Sequence, residues 1–301
     1  MIPARAPRWP RPGQALALTA PGGALEPEAL DEGLAALAEL APDLRLVNGP
    51  ELGRRAGYFA GRDSERAEHL ARLMADPGVG LVMAARGGFG CSRLLPLMDI
   101  AALVAADKPL LGCSDLTCML NALAVRGRVA LHGPMLTQLS RLDQPSRADL
   151  AALFAGRPAW PATLSGQPLR PGRTRGVLMG GNLTLLCHLL GTPHFPSLAG
   201  CILFIEDVGE AAYRLDRMLT QLELSGVLER VAGVAVGSLT NAAADPPALT
   251  ETVAQRLAEL AAPVVMGLPF GHGPKNRLLP VGAVAELDGE AGRLSVGLGL
   301  V

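Results

Sequence analysis

A candidate nucleophile follows an apolar run in the first half of this 301-residue sequence, at Gly112-Cys113-Ser114-Asp115. Here a strand-like segment passes into a helix-like one with almost no loop. That layout is typical of a nucleophile elbow, whose sharp turn exposes one hydroxyl above the helix amides that stabilise an oxyanion. A nucleophile elbow needs a small residue two positions before the nucleophile. Gly112 meets this need for Ser114, whereas Cys113 would have Leu111 there. Leu116 replaces the second glycine of the motif, and helix capping by Ser and Asp stays an alternative.

A glycine-rich loop, Arg86-Gly87-Gly88-Phe89-Gly90, follows another apolar run. Such glycines let the backbone approach a ligand and donate N–H groups, as an oxyanion hole or a phosphate-binding loop requires. The Gly-Lys-Ser/Thr of a nucleotide P-loop is absent. The alternative is a plain glycine turn with Arg86 in a surface ion pair. If both runs are strands of one parallel sheet, this loop lies beside the candidate nucleophile.

A candidate acid and base follow apolar runs in the second half. Residues 201–205 are followed by Glu206 and Asp207, whose side chains should point to opposite faces of the strand because successive residues alternate. One can orient an imidazole while the other caps the helix that follows, although capping alone explains either. His272 stands between two glycines, so it is either a loop histidine without a role or one held for proton transfer near neutral pH. His132 also follows a strand-like run and could line the same cleft.

These residues jointly describe acyl transfer by a serine nucleophile. Ser114 would attack, His272 would act as general base, and Glu206 would fix the imidazole tautomer. Gly87 and Gly88 would supply N–H donors to the oxyanion. The sequence does not show that the loops converge in space.

The elements that must position these loops alternate between apolar runs and helical patterns, which is typical of parallel α/β sheets. Strands are predicted at residues 15–20, 44–47, 80–84, 109–112, 128–132, 175–179, 201–205, 231–237, 264–267, 283–287 and 293–296. Helices are predicted at 28–40, 64–74 with Asp63 or Ser64 as N-cap, 115–126, 182–190, 211–224 and 248–260. The sequence therefore predicts a flavodoxin- or Rossmann-like parallel-sheet domain over 1–145, a proline-rich linker over 146–173 with one short helix, and a mixed α/β domain over 174–301.

Composition excludes several classes of partner. With 27 Lys+Arg against 28 Asp+Glu, the chain lacks the basic field that nucleic acids and anionic membranes attract. The uncharged residues 176–205 are interrupted by Gly, Pro and His, which argues against a membrane span. Five cysteines without zinc-site spacing predict free thiols in a reducing cytoplasm and no metal site. Nothing in the sequence indicates a cofactor.

At these loops the sequence resembles the LD-carboxypeptidases, or muramoyltetrapeptide carboxypeptidases, a family that includes the microcin C immunity peptidases. The matching segments run in family order along nearly the whole chain: Arg86-Gly-Gly-Phe-Gly90, Gly112-Cys-Ser-Asp115, His132-Gly-Pro-Met135, Gly176-Val-Leu-Met-Gly-Gly-Asn-Leu183, Phe204-Ile-Glu-Asp-Val-Gly-Glu210 and Pro269-Phe-Gly-His-Gly273 with Asn276.

The resemblance implies a cytosolic, commonly homodimeric Ser-His-Glu peptidase with an N-terminal nucleophile domain and a C-terminal swivelling-type domain that carries acid and base. It implies release of the terminal D-alanine from murein tetrapeptides in cell-wall recycling, without metal or cofactor. Ser114 would be the nucleophile, His272 the base and Glu206 its partner. The oxyanion donors would be the backbone amides of Asp115 and of Gly88 or its neighbour.

Substrate contacts are less well defined by the resemblance. The free terminal carboxylate of the substrate needs a cation, for which Arg86 is the candidate, and Asn276 is a second candidate contact. Pro21-Gly22-Gly23 replaces the Pro-Ser common in the family, which puts a substrate contact there in doubt. In the microcin branch an aromatic side chain from a longer region stacks on the nucleotide, whereas the short linker here has Trp160 as its only tryptophan. The murein branch is favoured, with a microcin C-type immunity peptidase and a non-catalytic muropeptide-binding module as alternatives.

Overall fold

The computed structural model describes residues 2–240 and 246–299. The helices of this part of the chain are α1 Pro27–Leu40, α2 Asp63–Ala75, α3 Ile100–Ala105, α4 Thr117–Val125, α5 Gln144–Phe154, α6 Leu183–Leu189, α7 Ala212–Leu224 and α8 Pro246–Leu257. The strands are β1 Ala15–Thr19, β2 Leu46–Asn48, β3 Val79–Ala84, β4 Leu110–Gly112, β5 Ala130–His132, β6 Ala162–Ser165, β7 Gln167–Arg170, β8 Arg173–Asn182, β9 Ile202–Val208, β10 Gly233–Thr240, β11 Val264–Met266, β12 Leu279–Val281, β13 Val284–Asp288 and β14 Arg293–Leu298.

The first sheet has the strand order β12-β5-β4-β3-β1-β2. Its strands β1 to β5 are parallel and follow the flavodoxin-like order 2-1-3-4-5, as predicted for the first half of the chain. The order reverses between β1 and β3, so the loops after these two strands diverge and leave a crevice at the carboxyl edge. Open α/β folds bind their ligands at this position.

The second sheet has the strand order β6-β14-β13-β8-β9-β10-β11-β7. Four central strands, β8 to β11, are parallel, and the flanking strands pair antiparallel. The predicted mixed α/β character of the second half is therefore confirmed. Residues Ile202 to Asp207 of the central strand β9 are buried, so this strand brings its last side chains to the sheet edge from within the core.

The segment 146–173, predicted as a linker, is built into the fold. Helix α5 begins with Pro145 in its first turn, where proline is tolerated. Strands β6 and β7 form the two edges of the second sheet, and Pro168 lies in an edge strand, where a missing N–H costs no ladder bond. Strand β12, from the second half of the chain, pairs instead with β5 of the first sheet. The prolines of this segment therefore accompany edge strands as well as the passage from the first sheet to the second.

Most helices begin within two residues of the predicted positions, and two of them differ in how they begin. Helix α2 has Arg62 as its N-cap in place of Asp63 or Ser64, and Glu65 accepts a hydrogen bond from the Arg62 amide at 3.0 Å. The helix predicted from residue 115 begins as a 3-10 turn over Ser114–Leu116 before α4. None of the helices in the described residues is long and apolar enough to cross a membrane.

Helix α4 joins the two sheets directly behind the predicted nucleophile. The Thr117 hydroxyl accepts a hydrogen bond from the Asn182 amide at 2.9 Å, and Asn121 donates to the Gly180 carbonyl at 2.7 Å. A Cβ on Gly181 would lie 2.5 Å from the Thr117 hydroxyl, so only glycine permits this approach. The ends of β4 and β8 are thereby held next to each other.

Candidate active site

Ser114 lies at the sharp turn between β4 and α4 with φ of 60°, a left-handed conformation that costs a non-glycine residue free energy. A Cβ on Gly112 would lie 2.6 Å from the Leu116 side chain, so the turn requires the glycine. The side chain of Ser114 is nearly buried but reaches the cleft described below. This is the backbone geometry that a nucleophile elbow needs.

His272 and Glu206 form a hydrogen-bonded pair, with 2.5 Å between His272 Nδ1 and Glu206 Oε2. Glu206 is fully buried, while the imidazole is partly exposed. The histidine loop is held from both sides, because the His272 amide donates to Ser238 Oγ at 3.0 Å and the Gly271 amide donates to Asn276 Oδ1 at 3.1 Å. The carboxylate thus fixes which imidazole nitrogen carries the proton and leaves Nε2 for other partners.

Burial and pairing act in opposite directions on the pKa values of this pair. Burial lowers the pKa of His272, but the charge and hydrogen bond of Glu206 outweigh it, and the pKa is raised above its ordinary value. Burial raises the pKa of Glu206, but the His272 charge and hydrogen bond reverse this, and its pKa is lowered. Both directions favour a basic imidazole beside an ionised carboxylate, which suits a general base.

An open cleft of about 880 Å³ lies at the carboxyl edges of both sheets. The residues singled out from the sequence that line it include Ser114, His272, Arg86, Gly87, Gly88 and Asp207, and Glu206 is hydrogen-bonded to His272. Ser114, His272 and the glycine loop therefore face one cleft. Arg86 is also tied to the protein, since its guanidinium donates to the Ala24 carbonyl.

The glycine loop packs against the nucleophile with no room for a side chain. A Cβ on Gly87 would lie 2.8 Å from Ser114 Oγ and 3.5 Å from the Asp115 amide nitrogen. The loop is supported from below, because the Gly23 amide donates to the Gly87 carbonyl at 2.9 Å. A Cβ on Gly22 would lie 2.4 Å from Asp115 Oδ2, which gives a packing reason for glycine at this position.

Asp115 is fully buried, and its Oδ2 accepts a hydrogen bond from the Cys91 amide at 2.9 Å. Burial raises the pKa of this carboxyl group. The side chain therefore connects the elbow to the far end of the glycine loop, while its backbone amide stays at the start of the helical turn. The expected role of the Asp115 amide as an oxyanion donor is compatible with this arrangement.

Asp207 caps a different helix from the one expected. Its Oδ2 accepts from the amide and hydroxyl of Thr184, each at 2.9 Å, and its Oδ1 accepts from Asn182 Nδ2 at 3.1 Å. These groups belong to the start of α6, which precedes β9 in the chain; the prediction of a helix that follows was wrong. The carboxyl group lines the cleft, and burial together with the Glu206 charge raises its pKa to about 6.

Asn276 and His132 were expected at the cleft, but neither of them lines it. Asn276 is fully buried, and it supports the histidine loop through its bond to Gly271, so it is a positioning residue. His132 is also fully buried, with its ring edge-on to Phe204 at 5.2 Å between centroids. Neither ring nitrogen has a hydrogen-bond partner among the described residues, and burial lowers the pKa of His132 to about 4.

Several polar side chains that line the cleft were missed, among them Gln138, Arg141 and Thr184. Gln138 and Arg141 lie on the 3-10 helix Leu136–Arg141, which follows β5. In the sequence, His132 indicated where β5 ends. The residues that follow the end of a parallel strand are candidates for the same cleft, and this reasoning would have included Gln138 and Arg141. Thr184 follows Asn182 at the start of α6, where capping residues are common and carry no functional signal.

Comparisons with known proteins show the family of the chain. The protein-family model for the LD-carboxypeptidase N-terminal domain matches residues 16–133, and the family model for the C-terminal domain matches residues 175–287. The chain belongs to the LD-carboxypeptidase family. This confirms the resemblance seen in the sequence and makes the protein a peptidase.

Individual relatives cover nearly the whole chain. The murein tetrapeptide carboxypeptidase of Pseudomonas aeruginosa is 36% identical over 289 residues, which are 91% of this chain and 93% of that protein. A Synechocystis protein named for an expected carboxypeptidase activity is 41% identical over 95% of both chains. The crystal structure of muramoyltetrapeptide carboxypeptidase from Oxalobacter formigenes is 32% identical, with a TM-score of 0.81 over 94% of this chain and 99% of that one.

Proposed function

We propose that this LD-carboxypeptidase family member is a serine peptidase that releases the terminal D-alanine from murein tetrapeptides. The observation that carries the proposal is the cleft that a strained Ser114 and His272 both line, with Glu206 hydrogen-bonded to His272. Relatives named for murein tetrapeptides support the substrate class. The proposal places the enzyme in the cytosol as a homodimer that acts on recycled cell-wall peptides.

Acylation follows from the roles that these groups can take. Ser114 Oγ attacks the carbonyl carbon before the terminal residue, and His272 Nε2 accepts the hydroxyl proton. The oxyanion that forms is stabilised by backbone N–H groups of Asp115 and of Gly88 or Gly87. The C–N bond then breaks as His272 returns the proton to the leaving amine of D-alanine.

Deacylation repeats the same steps with water as the nucleophile. His272 accepts a proton from the water, which attacks the acyl-enzyme carbonyl, and then returns the proton to Ser114 as the ester bond breaks. Glu206 continues to accept the hydrogen bond from Nδ1–H and stabilises the imidazolium formed in both halves. Every step uses groups of this chain and water.

Cleft composition favours the murein peptide over an aminoacyl nucleotide. Recognition of a base by stacking needs an aromatic side chain, and within the described part of the chain no Phe, Tyr or Trp lines the cleft. Trp160, the one aromatic noted in the linker, packs against Trp9 with 5.5 Å between ring centroids. A flexible, charged peptide therefore suits this cleft better than a nucleotide.

Turnover of a matched set of substrates tests the proposal. The purified protein is incubated with L-Ala-γ-D-Glu-meso-diaminopimelate-D-Ala, with the diastereomer ending in L-Ala, and with an aminoacyl sulfamoyl nucleotide. Release of D-alanine from the first, at least ~100-fold faster than the other reactions, is the expected result. Preferred cleavage of the nucleotide would establish the microcin-type alternative. Binding of the peptide without turnover would establish the binding module.

A further inference from the structure

Among the described residues, five charged side chains line the cleft: Glu26, Arg86, Arg141, Asp207 and Glu210. The three acids are already compensated. Glu26 pairs with Arg55 at 2.6 Å, and Glu210 pairs with Arg214 at 3.4 Å. Asp207 accepts hydrogen bonds from the start of α6, as described above. Each of the three acids therefore already has partners within the protein.

The two cations differ from each other. The Arg86 guanidinium donates to the Ala24 carbonyl and so helps to hold the loop that supports Gly87. Arg141 is exposed and makes no ion pair or side-chain hydrogen bond with any residue in 2–240 or 246–299. Among the described residues neither arginine pairs with an acid, but Arg141 also has no side-chain hydrogen bond, so all five of its N–H donors are free for a ligand that enters the cleft.

The element that carries Arg141 is fixed to both sides of the site. At the start of its 3-10 helix, the Thr137 amide donates to the Ala85 carbonyl at 3.0 Å, directly before the glycine loop. Just after the helix, the Asp143 amide donates to the Pro274 carbonyl at 3.0 Å, two residues beyond His272. Arg141 therefore projects from a segment that bridges the predicted oxyanion loop and the loop of the predicted base.

We propose that Arg141 binds a carboxylate of the peptide substrate, an inference that rests on the proposed function. A planar guanidinium matches a carboxylate through two parallel hydrogen bonds, and a concave site strengthens their attraction. A murein tetrapeptide offers three carboxylates of this kind: the C-terminal one, the one on the side chain of the third residue, and the α-carboxylate of the γ-linked D-glutamate. All three share one chemistry, and the experiment distinguishes them.

Binding is measured by calorimetry on the Ser114→Ala background, with and without Arg141→Gln, so that hydrolysis does not consume the ligand. The parent tetrapeptide is compared with three peptides in which one carboxylate each is removed: a C-terminal amide, a lysine third residue and an isoglutamine second residue. Arg141→Gln is expected to weaken binding of the parent about 10- to 100-fold. The effect should shrink to about twofold or less for the one peptide that lacks the partner carboxylate. Arg141→Lys should retain part of the affinity.

Arg126→Gln is the matched control, since Arg126 is exposed at the end of α4 and outside the cleft. A loss below twofold for Arg141→Gln, or an equal loss for all four peptides, would overturn the inference. If the wild type and Arg141→Gln turn over the tetrapeptide equally well, the inference is contradicted but the proposed function is not. Carboxylate-dependent binding through Arg141 without wild-type turnover contradicts the proposed function alone. Absence of both binding and turnover contradicts both.

Discussion

Glu206 and His272 lie 66 residues apart in the sequence, yet Glu206 Oε2 and His272 Nδ1 are 2.5 Å apart in the fold. The carboxylate comes from the end of β9 and the imidazole from a loop after β11. Each of these strands belongs to the parallel centre of the second sheet, so their carboxyl ends share one edge. The pair is therefore a product of sheet topology, and the following predictions depend on it.

The pH dependence of kcat/KM should report the raised pKa of His272. The base must be neutral to accept a proton, so activity is lost as the pH falls through this pKa. Because the net effect of burial and the Glu206 charge is a raised pKa, the midpoint of the acidic limb should lie above pH 6.5. Glu206→Gln should move that midpoint to lower pH. A pH–rate profile of both proteins checks this, and an unmoved midpoint would show that another group titrates.

Replacement of the two neighbouring carboxylates should have unequal effects on catalysis. Glu206→Gln should lower kcat by about 10²- to 10⁴-fold, since the amide cannot fix the correct imidazole tautomer or stabilise the imidazolium. Asp207→Asn should lower kcat by less than about tenfold, because this side chain bonds the start of α6 and not the base. Steady-state kinetics on both variants measures this. Comparable losses would mean that the wrong carboxylate has been assigned to the base.

Gly87→Ala should impair catalysis by a steric effect on the nucleophile. The added methyl group would lie 2.8 Å from Ser114 Oγ, which forces the serine or the glycine loop to move. We expect kcat to fall at least about 100-fold, the typical cost of misplacing a reacting group by an ångström. Gly53→Ala is the matched control, since a Cβ there meets nothing within 4 Å and the residue is exposed. Equal activity of the two variants would contradict the placement of Gly87.

His132 should reduce stability in acid, although it does not contact the cleft. Its folded pKa of about 4 lies below the ordinary value of 6.5, so the unfolded chain binds more protons between these values. Stability is therefore lost as the pH falls from about 6.5 to 4, by about 3 kcal/mol for this group. Urea unfolding of the wild type and of His132→Leu at pH 7 and pH 4 measures the difference. Parallel losses in the two proteins would show that His132 does not contribute.

Much of the fold and of the predicted site could be anticipated because parallel strands end at one edge. The loops after β3 and β4 were expected side by side, and Gly87 and Ser114 meet there. Residues whose role depends on distant contacts could not be placed. Asn276 was expected to contact substrate, but it hydrogen-bonds the Gly271 amide, a partner that only the folded loop supplies.

The segment 146–173 shows a second limit. Its prolines indicated a linker, yet Pro168 lies on an edge strand that pairs with β11, almost a hundred residues later in the chain. An edge strand and an extended connection have the same local sequence signal, because neither needs every N–H in a ladder. The difference lies in the partner strand, which a local pattern does not reveal. Arg141 was missed for a similar reason, since its exposure is that of an ordinary surface arginine.

The release of D-alanine from the murein tetrapeptide by wild type and by Ser114→Ala tests the central claim most directly. We expect the variant to lose at least about 10⁴-fold in kcat while its unfolding temperature stays near that of the wild type. Cys113→Ala is the control for a thiol nucleophile, since burial raises the pKa of the neighbouring Cys113 and this variant should remain active. Undiminished release of D-alanine by Ser114→Ala would contradict the account.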